Sequence, residues 1–325
     1  MSIKERDIYL DALKGLGLLM MIFYHSLNAY SVLGKNKISV FLQMLSMPLF
    51  FICSGLLYKQ KDFKTVVQRN FKKIIIPYLI AGVILWILMV FIKSQYDYGW
   101  AILLGSSPDV TGFSGKNYTV GPLWFLPAFF FAMIFSHFVF ELKNERLRWL
   151  VIIIAFEFSL AVELFLNMPF GISQGIAGCM FVYCGYFCNK YPAVLNNKVV
   201  IGIGLVSFVL CFLYGRCAMS HHIYKLNLLH VPAAVFATFL SLKVLRKLPE
   251  ISKLLSFLGK NSLIILCIHA IDRKMCFTTD LVTLCMNGSQ YLQLLTDFIL
   301  KLAFVFLFYI IYSLIKTAFV TIPKK

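Results

Sequence analysis

Two ionisable residues bracket the stretch KGLGLLMMIFYHS: Lys14 opens it, and His25 stands one place before its end. An ammonium group orients anions or polarises a carbonyl, and an imidazole exchanges a proton near neutral pH. In a helix that advances about 100° per residue, Lys14 and His25 lie roughly 20° apart on the wheel and roughly 16 Å apart along the axis. Asp11 and Asn28 fall within about 60° of His25, so Asp11, Lys14, Leu18, Met21, His25 and Asn28 share one face. Lys14 and His25 are too far apart to touch, but they can hold opposite ends of one elongated ligand. Asp11, three residues before Lys14, is placed to hold its ammonium. A plainer reading has Lys14 snorkelling to lipid headgroups and His25 bonding a neighbouring helix. Against it stands the cost of ionisable groups in a membrane, which keeps them facing a cavity or the bundle interior.

The membrane setting follows from composition. Of 325 residues, 60% are hydrophobic and only 14% charged, where a soluble chain carries roughly 25% charge. Mean hydropathy is +0.81. Such a chain cannot cover a water-facing surface, and an all-α, polytopic membrane bundle is expected. Ten candidate spans cover roughly 8–30, 38–58, 71–93, 121–141, 148–166, 172–189, 198–216, 227–245, 254–271 and 294–317. The net charge of +17 does not point to nucleic acid, because the lysines and arginines cluster between apolar runs as they do in cytoplasmic loops. With both termini cytoplasmic, only Lys35, Lys37, Lys93, Lys116, Arg216, Lys225, Arg273, Lys274 and Lys301 fall outside. Two outer segments, about 94–120 and about 272–291, are longer than tight turns. The first apolar run carries Asp11 and Lys14 and lacks a small-residue exit, so it is expected to remain as a span rather than be cleaved. Residues 1–325 are expected to form one membrane domain with no separate soluble domain. The nine cysteines lie mostly within apolar runs without a zinc-like pair, and are expected as buried free thiols with no metal.

Other polar residues have two readings each. Asn261, Ser262 and His269 form either a hydrogen-bonding wall opposite the first helix or caps and interhelical glue. Ser262 and His269 are about 10 Å apart along one helix, too far for a nucleophile–base pair. Glu157 sits mid-span, where a carboxylate is paired or protonated, and Glu163 lies nearer the outer edge. Pro122 and Trp124 either shape a pocket mouth or supply a kink and an interfacial anchor. His221 and His222 sit in an outer loop beside Lys225, with solvated side chains as the default. No G-x-S-x-G elbow, H-E-x-x-H helix or Walker loop is present, which leaves hydrolase and ATPase readings without support.

The stretch RDIYLDALKGLGLLMMIFYHS resembles the start of the membrane-bound acyltransferase-3 family, in which a basic residue, ten intervening residues and a histidine recur in the first helix. Here Lys14 and His25 fill those places, with lysine standing for arginine. QRNFKKIIIPYL resembles the family's Arg-x-x-Arg patch, with Lys72 in place of the second arginine, and GPLWFLPAFFF and LGKNSLIILCIHA resemble later helices of its sugar O-acetylases. The resemblance implies acetyl-CoA as donor, a sugar hydroxyl of a surface or lipid-linked glycan as acceptor, and a bacterial cell membrane as the site. It makes His25 the catalytic base or an acyl carrier, with Lys14 and Asp11 as further catalytic candidates. Arg69, Lys72 and Lys73 would seat the donor phosphates, although a topology signal with lipid contact would also account for them. Trp124, Glu157, Asn261, Ser262 and His269 are the candidate acceptor wall. The competing class is a transporter or flippase of glycan intermediates, which many helices with intramembrane charge would also suit.

Overall fold

The computed structural model describes residues 7–30, 37–105, 110–112, 115–163, 165–166 and 168–320. Lys35, counted above for orientation, lies outside them. The helices in chain order are α1 Ile8–Ala29, α2 Lys37–Leu56, α3 Phe63–Asn70, α4 Ile76–Lys93, α5 Gly99–Leu104, α6 Phe125–Glu141, α7 Glu145–Glu163, α8 Ile172–Lys190, α9 Lys198–Tyr214, α10 His230–Arg246, α11 Pro249–Lys260, α12 Ser262–Met275, α13 Phe277–Cys285 and α14 Gln290–Val320. Two short antiparallel pairs interrupt them: β1 Val110–Thr111 with β2 Asn117–Tyr118, and β3 Cys217–Ala218 with β4 Ile223–Tyr224. The protein is an all-α membrane bundle. Seven helical segments among the described residues are long and apolar enough to cross a bilayer, or eight if α11 and α12 count as one broken span. The remaining expected spans coincide with α7, whose ends carry several charges, and α9, which has 17 residues.

The outside of the bundle is apolar. Along α14 only 11% of the most apolar window is buried, and Phe91, Leu314 and Ile315 point outward. A helix apolar all round with one side unpacked is built for lipid. The nine cysteines are free, and seven are buried, as expected of small apolar packers.

Helix α1 begins at Asp7, whose carboxylate accepts from the Tyr9 and Leu10 backbone amides, satisfying donors that a helix start leaves open. It then packs on α11 backbone to backbone. A Cβ added at Gly259 would sit 1.7 Å from the Asp11 carbonyl oxygen, and one at Gly15 would sit 2.1 Å from that of Leu255. Helices α2 and α8 approach in the same way through Gly55 and Gly185. In lipid, where hydrophobic transfer drives nothing between helices, such small-residue contacts supply the packing. Gly259→Ala is therefore expected to lower stability by about 1–3 kcal/mol through forced separation. Thermal unfolding in detergent checks this, with Gly202→Ala as control because its Cβ would meet nothing within 4 Å. Equal midpoints for the two variants would refute the close-packing argument.

The ninth expected span is not straight. α11 and α12 meet at a 71° bend at Asn261, whose side-chain amide donates to the Phe257 carbonyl at 2.9 Å. The expected outer loop at 272–291 is also mostly helix, because α12 runs to Met275 and α13 follows.

Candidate active site

The polar stripe of α1 borders a series of adjacent cavities. At one end is a cavity of about 360 Å³ bordered by Lys14, Leu18, Met21 and Met47, with Lys59, Lys61, Arg69, Lys73 and Lys260 at its basic side and Ser262, Leu263 and Leu266 on its wall. At the other end a vestibule of about 970 Å³ is bordered by Tyr24, His25, Asn28, Gln43, Pro122 and Trp124. Between them lies a chamber of about 60 Å³. It shares Met21 and Met47 with the first cavity and Tyr24, His25, Gln43, Pro122 and Trp124 with the second. His25 faces both chamber and vestibule. The Gln43 side-chain amide donates to the Tyr24 hydroxyl beside it.

Lys14 is held as expected: its ammonium lies 3.4 Å from Asp11 Oδ1, with the carboxylate side chain only 3% exposed. The basic patch differs from the Arg-x-x-Arg spacing. Arg69 and Lys73 border the cavity, and Lys72 does not. Residues Phe71–Ile75 form a π turn, in which the Ile76 amide bonds back to Phe71. Arg69 and Lys73 are four residues apart, a spacing that shares one face of a helix. Asp62 caps α3 by accepting from the Thr65 amide at 2.8 Å, and these Thr65 bonds hold its carboxyl below the usual range.

The residues expected to form an acceptor wall do not all come together. Trp124 is in place, and Ser262 borders the opposite cavity. Asn261 is occupied in the bend. Glu157 stands apart from both cavities and accepts from Asn227 Nδ2 at 3.0 Å, and among the described residues it pairs with neither a lysine nor a histidine. His269 is fully buried, its ring centroid 5.3 Å from that of His25, and neither of its ring nitrogens finds a hydrogen-bond partner. It adjoins His25 and does not border the vestibule. Glu163 accepts from Gln174 Nε2 at 3.3 Å. The two loop histidines diverge. His221 borders the vestibule with Lys225, while His222 is buried instead of solvated, 3.1 Å from the Ser159 hydroxyl. Burial holds the His222 imidazole down at about 4, so it stays neutral at physiological pH.

One cluster near this end was not anticipated. Lys301, expected on the outer side, is 1% exposed and lies 2.7 Å from Asp297 Oδ1 and 3.7 Å from Asp272 Oδ2. It also donates to the Thr278 and Thr279 hydroxyls at 2.7 and 2.8 Å, while Asp272 accepts from the Thr278 amide and hydroxyl. Asp297 and Lys301 are four apart on one helix, a spacing that offered the only signal. Asp272 follows His269 by one turn, so the cluster anchors the end of the helix that carries it. No group of metal-ligating side chains is found among the described residues.

Apolar helices thus enclose a cavity with a basic border, an open vestibule and, between them, a small chamber bordered by a histidine. The profile of the acyltransferase domain family Acyl_transf_3 matches residues 7–321. The chain belongs to that family, and it is a multi-pass membrane acyltransferase. No curated protein matches it significantly.

Proposed function

We propose that this enzyme transfers an acetyl group from acetyl-CoA to a sugar hydroxyl of a cell-envelope glycan in a bacterial cell membrane. The observation that carries this reading is the succession of adjacent cavities along α1, from a basic one at Lys14 to an open vestibule at His25. In the proposed orientation both termini are cytoplasmic, the cavity at Lys14 faces the cytoplasm, and α7 and α9 complete ten spans. Arg69 and Lys73 suit the donor phosphates, arginine as a two-donor fork and lysine as a point charge. The apolar passage past Leu18 and Met21 suits an extended thiol arm. Lys14, roughly 16 Å from His25 along α1, acts on the body of the donor rather than on the reacting carbonyl. A chamber of about 60 Å³ has room for only a few water-sized groups, which favours a short acyl chain.

In this reading the acceptor hydroxyl gives its proton to the His25 imidazole. Its oxygen bonds to the thioester carbonyl carbon, the carbon–sulfur bond breaks, and the thiolate leaves and takes up a proton. His269 positions the His25 ring.

The test is transfer of label from radiolabelled acetyl-CoA to envelope glycan in membranes carrying the protein. Arg69→Ala is expected to raise KM for acetyl-CoA about tenfold, the effect of losing one charge-assisted hydrogen bond, with kcat little changed. An unchanged KM would return Arg69 to a topology role. Glycan movement across the membrane without consumption of any acyl donor would favour the transporter reading instead.

A further inference from the structure

The vestibule around His25 is more than an opening. Arg216, Lys225, Arg273 and Lys274 all border it, and among the described residues no Asp or Glu does. Arg216 and Lys225 are exposed and Arg273 is half-buried. None of these three makes a side-chain hydrogen bond or ion pair with another described residue. Lys274 is steered in: its stem crosses Gly121, where a Cβ would sit 2.6 Å from Lys274 Cδ, and its ammonium stands 5.7 Å from the Tyr98 ring centre.

The chain has carboxylates at this end but turns them away. Asp272 and Asp297 are 0% exposed and are consumed by Lys301, Thr278 and Thr279. Asp272 and Arg273 are neighbours in sequence, yet one is sealed in the bundle and the other borders the vestibule. Buried Lys301 is neutralised by two aspartates, whereas among the described residues no acid borders the vestibule. Four of the nine basic residues assigned to the outer side converge on this one concavity, although positive charge on that side opposes the topology rule. A cleft lined by one sign of charge concentrates the opposite sign, and two arginine forks match carboxylate or phosphate oxygens.

We infer that the vestibule binds an acidic glycan: the acceptor carries phosphate or carboxylate oxyanions, held by Arg216, Lys225, Arg273 and Lys274, while a nearby hydroxyl is presented to His25. This specificity rests on the acetyl-transfer reading above, but the binding itself does not.

The experiment uses full-length protein in nanodiscs of zwitterionic lipid. Three fluorescent oligosaccharides of equal length serve as probes: one neutral, one bearing a phosphate ester, one with uronic acid units. Equilibrium binding is expected to be at least tenfold tighter for one or both acidic probes, with the advantage shrinking as salt rises. Which acidic probe wins identifies the oxyanion. Arg216→Gln, at an exposed position that leaves the fold intact, and Arg273→Gln are expected to weaken acidic probes several-fold more than the neutral one. Adding one-third phosphatidylglycerol tests a lipid headgroup as the occupant; if that lipid abolishes the acidic advantage, the site belongs to lipid and the inference fails. Equal binding of neutral and acidic probes, or equal weakening of both by the variants, also overturns it. Acidic probes that bind tightly but receive no acetyl group would uphold the site and refute the transfer reading instead.

Discussion

His25→Ala is expected to lower acetyl transfer by about 10²–10⁴-fold, the range attributed to a positioned general base. The replacement is made on the wall of existing cavities, where His25 is half-buried and borders both the central chamber and the outer vestibule. The bundle should therefore keep its packing. Label incorporated into glycan from acetyl-CoA, measured in membranes at matched protein level, is the readout. His269→Ala supplies the contrast. That ring stands beside His25 at a 5.3 Å centroid distance without bordering either cavity, so its loss is expected to be smaller. Incubating the wild type with labelled donor and no acceptor separates two roles for His25. Label retained on the protein and absent from His25→Ala indicates an acyl-histidine, and no retained label indicates direct transfer. Equal glycan labelling by wild type and His25→Ala would make His25 structural.

Lys301→Met is expected to destabilise the protein by about 3–5 kcal/mol, the cost of leaving buried charge without its partner. Asp272 and Asp297, both 0% exposed, would then face each other with only threonine donors between them. Inside a membrane protein such charge is tolerated only when paired. The loss should be read as a lower unfolding midpoint in detergent. Lys301→Met combined with Asp297→Asn removes one charge of each sign and is expected to recover part of it. That recovery is the coupling a double-mutant cycle isolates. Activity should fall along with stability in the single variant, because Asp272 fixes the end of α12 one turn beyond His269. A single variant as stable as the wild type would mean that the three groups do not form an ionic cluster.

Much of this protein was legible in local order along the chain. Apolar runs of membrane length are written in consecutive residues, and so is the 3.6-residue period that sets Lys14, Met21 and His25 on one face. Hence the helical bundle, the polar stripe and the Asp11–Lys14 pair were all readable, and the family profile over 7–321 agrees with the motifs around them. Other features depended on residues distant in sequence. Glu157 found Asn227 rather than a cation, and Asn261 was absorbed by a 71° bend. Lys73, rather than Lys72, borders the cavity beside Arg69. Lys301, counted among outer charges, entered a sealed cluster with two aspartates. Helical periodicity gives the face a side chain occupies on its own helix, but not what the facing helix offers. Whether a charge borders a cavity or is neutralised inside the bundle is settled by which helices pack together. Here that choice rests on glycine contacts such as Gly15 and Gly259, where the absence of one Cβ lets two backbones meet.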